Sequence, residues 1–126
     1  MTALALAGIA VAGALGAPAR YLVDGFVQDR TRGPFPWGTF VVNVTGSFVL
    51  GVVTALALHH GFGGAPRRWL ATGLCGSFTT FSTFSWETVR LLEEERWATA
   101  AANAGGSVAA GLLAAAAGMG LVALIG

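Results

Sequence analysis

The chain has 126 residues, 55% of them hydrophobic and 10% charged, with a mean hydropathy of +0.70 and a formal net charge of +1. Soluble domains average about 25% charged residues, so the composition excludes an ordinary water-soluble domain. The seven basic residues, all Arg, form no clustered basic surface of the kind that binds nucleic acid, and the single cysteine, Cys75, excludes an intrachain disulfide.

Charged residues are absent from residues 1–19, 33–66, 69–86 and 97–126. About 20 apolar residues span a bilayer as a helix. These runs predict an all-α integral membrane protein, a single domain over 1–126 with four transmembrane helices. Helix one is expected at about 3–26. No basic residue separates Met1 from the apolar run, which continues into a polar tail with Arg20 and Asp24. That argues for a first span rather than a cleaved secretory signal. Gly8, Ala12, Gly13 and Gly16 leave much of the helix nearly bare, and helix four carries Gly106 and Ala110. Small faces let membrane helices approach closely, so both are expected to serve in part for self-association.

Helix two is expected at about 37–60, after the breaker Arg32-Gly-Pro-Phe-Pro36. It places Thr39, Asn43, Ser47 and Gly51 four apart, on one face. The adjacent His59 and His60 lack a supporting Cys or carboxylate and read as an interfacial pair. Helix three is expected at about 67–92, with a break near 73–80. There the stretch Gly73-Leu-Cys-Gly-Ser-Phe-Thr-Thr-Phe-Ser-Thr-Phe84 gathers two glycines, five hydroxyls and three phenylalanines. Gly73 and Gly76 loosen the helix, and backbone groups so freed cannot face lipid. Phe81 and Phe84 share one face and Thr79 and Thr83 another. A ring edge is positive and can stabilise an anion, whereas a ring face favours a cation. Glu93, Glu94 and Glu95 read as a solvated helix end.

Helix four, at about 97–125, repeats the polar ladder with Thr99, Asn103, Ser107 and Gly111. One such ladder is explained by interhelical hydrogen bonds. Two ladders flanking the third-helix cluster suggest a lined conduit. Cation routes carry interior carboxylates. Apart from Asp24 in the polar tail of helix one, Glu87 is the one acidic residue within these spans, and Arg20 is the deepest cation. The ends of the bundle carry Arg30, Arg32, Arg90 and Arg96 against Arg67 and Arg68. That asymmetry is too weak to fix one orientation.

The chain resembles the Fluc (CrcB) fluoride channels of microbes along nearly its whole length. The resemblance rests on Gly16-Ala-Pro-Ala-Arg-Tyr21, on Gly38-Thr-Phe-Val-Val-Asn-Val-Thr-Gly-Ser-Phe48 and on Gly73 to Phe84. It implies a passive channel rather than an enzyme: an antiparallel, dual-topology homodimer with a broken third helix in each subunit. It further implies two fluoride pathways per dimer, in a microbial cell (inner) membrane, that export fluoride and relieve its toxicity. By the same resemblance Asn43 would contact fluoride, Phe81 and Phe84 would present ring edges to it, and Ser107 would continue the polar track. Thr39, Ser47 and Thr83 join the expected pathway, and Arg20 and Glu87 its vestibules. A structural sodium ion on the dimer axis would take main-chain carbonyls of Gly76 and Thr79. Relatives commonly carry tyrosine where this chain has Asn103, which is therefore a candidate rather than an assigned ligand. A small drug/proton exchanger needs an acid in mid-helix one, and Ala10–Gly16 holds none. A purely structural subunit leaves the twin ladders unexplained.

Overall fold

The computed structural model describes residues 2–59, 61 and 64–125, and everything described is helix or short connection. His60, half of the expected histidine pair and the expected end of helix two, lies outside the described residues. Helix α1 runs Ala3–Arg30 and α2 runs Trp37–His59. The next passage is assembled from α3 (Gly64–Arg68), a π-helical stretch Trp69–Cys75, α4 (Gly76–Phe78) and α5 (Phe81–Glu93). The last comprises α6 (Trp97–Ala101), a second π stretch Ala102–Gly106 and α7 (Ser107–Ile125).

Among the described residues, three helical runs are long and apolar enough to cross a membrane: Ala3–Arg30, Trp37–His59 and Trp97–Ile125. Residues 64–93 are interrupted. Thr79 (φ −76°, ψ 158°) and Thr80 (φ −144°, ψ 120°) are both extended, so the chain leaves helix for two residues between Phe78 and Phe81. The side chain of Thr80 then restarts it by accepting from the Thr83 amide at 3.1 Å, an N-cap of the usual kind.

Helix α1 outlasts the expectation by four residues, to Arg30. Its polar tail stays helical because capping, rather than hydropathy, ends it: the Thr31 amide donates to Gln28 O and the Thr31 hydroxyl to Val27 O. Gln28 then accepts from the Gly38 amide at 2.8 Å, tying the end of α1 to the start of α2.

Packing is by close backbone approach. α2 lies chiefly on α7, and α1 on the π stretch 69–75. A side chain at Gly51 would strike the Ala115 carbonyl, and one at Gly118 the Phe48 carbonyl. One at Gly8 would overlap the Trp69 indole, and one at Gly16 the Ser77 hydroxyl. Gly8 and Gly16 of helix one therefore pack within the chain. The neighbouring passage, itself glycine-bearing at Gly73, takes that face first. Gly106 meets nothing within 4 Å and is left open. Fully buried apolar side chains are small (Val42, Ala55, Val122), while Leu15, Leu22, Leu112 and Leu113 face outward, as lipid permits.

Candidate functional site

The extended pair Thr79–Thr80 organises the site. Asn43, on α2, grips it from across the bundle: its Nδ2 donates to Thr80 O at 2.9 Å and its Oδ1 accepts from the Thr80 amide at 2.8 Å. One side chain thus satisfies both backbone groups at the interruption, where an unpaired group in apolar surroundings is costly. Asn43 Nδ2 keeps a second hydrogen for another acceptor.

Two other carbonyls are left open by the same geometry. In a continuous helix Gly76 O would accept from the Thr80 amide and Thr79 O from the Thr83 amide. Those amides donate instead to Asn43 Oδ1 and Thr80 Oγ1, and no described hydrogen bond ends on either carbonyl. Uncharged main-chain oxygens of this sort fit a hard monovalent cation, which takes carbonyls in place of its water shell.

A pocket of about 340 Å³ opens beside the interruption. It brings together Asn43 and Ser47 from α2, Gly76 and Thr79, Phe81 and Phe84 from α5, and Ser107 from α7. Among its lining residues none is ionised at neutral pH. The Phe81 and Phe84 rings lie 5.9 Å apart between centroids at 41°. Phe84 is partly covered, whereas Phe81 is 78% exposed within one chain.

The remaining predicted residues lie elsewhere. Thr39 and Thr83 share a smaller cavity of about 200 Å³ with Arg20 and Asp24, on another side of Thr80, which borders both spaces. Thr39 is buried and donates to Glu87 Oε1 at 2.6 Å. Glu87 itself borders a loop-end cavity with Arg90 and Arg96.

Asn103 is fully buried, and it is not among the residues lining any of these three cavities. Its amide donates to Thr88 Oγ1 at 2.8 Å and accepts from Ser107 Oγ at 3.2 Å. The ladders are therefore only partly lining: Asn43, Ser47 and Ser107 reach the pocket, Asn43 also grips Thr80, Asn103 ties one passage to another, and Gly51 is a packing contact. Sequence reasoning missed the roles of Thr80 and Thr88, the partners of the two asparagines. The one available signal was the density of hydroxyls between Ser77 and Thr88.

Residues 7–119 match the family described as CrcB-like protein, Camphor Resistance (CrcB). The chain belongs to that family. It is 53% identical over 112 residues to Fluoride-specific ion channel FluC 1 of Streptomyces avermitilis, covering 88% of this chain and 90% of that protein. The protein of that name from Leifsonia xyli subsp. xyli is 51% identical over 100 residues, 79% of this chain and 73% of its own. That of Frankia casuarinae is 50% identical over 123 residues, 90% and 92% respectively.

Proposed function

We propose that the chain is a passive, fluoride-selective channel of a microbial cell membrane, a transporter and no enzyme, which lets fluoride leave down its gradient. The observation that carries this reading is the uncharged pocket where Asn43, Ser47 and Ser107 meet the Phe81–Phe84 pair. Fluoride is small and strongly hydrated, so entry requires fixed donors in place of water. Hydroxyls, an amide hydrogen and ring edges supply them without a full positive charge, and conduction needs binding that also lets go. The names of its relatives support the choice of ion.

A second, inverted copy completes this site. The third passage breaks in mid-membrane at Thr79–Thr80, and the partner covers the open side of the pocket, where Phe81 stands exposed. Each of two pathways is lined by both copies. Thr39 and Thr83, beside Arg20, extend the route toward one mouth, and Glu87 lies near the other cavity at the loop end. The open carbonyls of Gly76 and Thr79 would hold a structural sodium ion, whose charge would satisfy these main-chain oxygens where the helix is broken.

Efflux from proteoliposomes holding the purified protein tests the reading. Fluoride is expected to leave while chloride stays, and equal fluxes reject selectivity. Phe81→Ile and Phe84→Ile keep bulk but remove the quadrupole. Fluoride flux is expected to fall at least about tenfold in each, the equivalent of about 1.4 kcal/mol in the barrier; undiminished flux in both rejects the ring-edge role.

A further inference from the structure

Behind Ser107, away from the pocket, runs a directed chain of hydrogen bonds. Thr88 has one hydroxyl hydrogen, and it goes to the Phe84 carbonyl at 2.8 Å. The Thr88 oxygen can then only accept, so the nitrogen end of the Asn103 amide must face it, as it does at 2.8 Å. That orientation turns Asn103 Oδ1 toward Ser107, whose single hydroxyl hydrogen is drawn back to it at 3.2 Å. Ser107 therefore shows its lone pairs, and not its proton, to the pocket that it lines.

An anion entering the pocket meets an unfavourable oxygen unless it pulls that proton forward. Doing so strips the only described hydrogen bond from an amide oxygen in a side chain that is 0% exposed. The Ser107 bond is longer than the usual 2.7–2.8 Å for paired hydroxyl oxygens, so a strong acceptor can break it. Fluoride, with its concentrated charge, is such an acceptor; chloride is a much weaker one.

We infer that Asn103, oriented by Thr88, is a specificity-determining positioning residue that competes with the permeating anion for the Ser107 proton. The inference rests on the fluoride-channel reading and adds a discrimination step to it. Neither Asn103 nor Thr88 borders the pocket; both act through Ser107.

The test is paired fluoride and chloride efflux from proteoliposomes carrying the full chain. Asn103→Leu keeps the shape and removes the competing oxygen, so the fluoride-to-chloride ratio is expected to fall about tenfold through faster chloride, the scale of one hydrogen bond. Thr88→Val frees the amide to turn its nitrogen toward Ser107 and should shift the ratio the same way, while Thr88→Ser restores it. In a Ser107→Ala background the Asn103→Leu change should vanish, whereas a merely structural role would persist there. An unchanged ratio in both Asn103→Leu and Thr88→Val, loss of all flux in both, or a shift that survives Ser107→Ala overturns the inference. Unselective or absent flux in the unaltered protein instead overturns the channel reading itself.

Discussion

Asn43 does at the residue scale what a neighbouring strand does in a sheet. It gives the Thr80 amide an acceptor and the Thr80 carbonyl a donor, at 2.8 and 2.9 Å. Asn43→Leu fills the same space and leaves both backbone groups unpaired, at a cost of about 1–3 kcal/mol for each. The variant is expected to unfold at a lower temperature in detergent and to lose fluoride flux. An unchanged midpoint would mean that water or a shifted backbone replaces the clamp. That role was hidden in the sequence. Periodicity put Asn43 on a polar face correctly, but its partner lies 37 residues away and is main chain, which no spacing rule marks. The contacts of Asn103 are hidden for the same reason. Its place on the ladder suggested lining, while the hydroxyl that holds it inward, Thr88, belongs to another passage.

The elements show where hydropathy was a sufficient guide and where it was not. Apolar runs located Trp37–His59 and Trp97–Ile125, but they carry no information on hydrogen-bond register. Both π-helical stretches contain glycine, Gly73 in one and Gly105 and Gly106 in the other. Glycine resists regular helix weakly, and π turns concentrate at working sites. Gly73 also sets the contact with α1: an added Cβ would lie 2.7 Å from both Ile9 O and Ala12 Cβ. Gly73→Ala must push two backbones apart, so it is expected to destabilise by about 1–3 kcal/mol, read as a lower unfolding midpoint. The end of α5 gives a change of opposite sign. The Arg96 amide reaches back to Leu91 O and the Glu95 amide to Leu92 O, a Schellman close that wants glycine at its left-handed position. Glu95 holds that position at φ 59°. Glu95→Gly relieves about 1 kcal/mol of side-chain strain and is expected to raise the midpoint without altering fluoride flux. The triple-glutamate run is solvated, as its charge suggested, yet its last member carries a backbone constraint that charge cannot reveal.

At the scale of the whole molecule, the chain leaves a polar pocket open beside outward-facing apolar side chains. Open carbonyls and hydroxyls cannot border acyl chains without cost, so something polar must close that side. A second copy in inverted orientation is the proposed cover, and the charge distribution permits it. Arg30, Arg32, Arg90 and Arg96 at one end face only Arg67 and Arg68 at the other, and the positive-inside rule needs a larger excess to hold every molecule one way up. Insertion in both orientations has a direct readout. Cys75 is the sole cysteine and is buried; replacing it by Ala and introducing Arg32→Cys puts one reactive thiol on the exposed α1–α2 connection. A membrane-impermeant thiol reagent applied to intact cells is expected to label about half of the protein, and the other half only after lysis, as near-equal insertion requires. Labelling that is complete or absent from outside would leave a single orientation. Adding Lys residues beside Arg32 should then drive the labelled share toward zero and abolish flux when expressed alone. Coexpression with a copy biased by Lys residues beside Arg67 should restore it, because each population supplies the inverted partner that the other lacks.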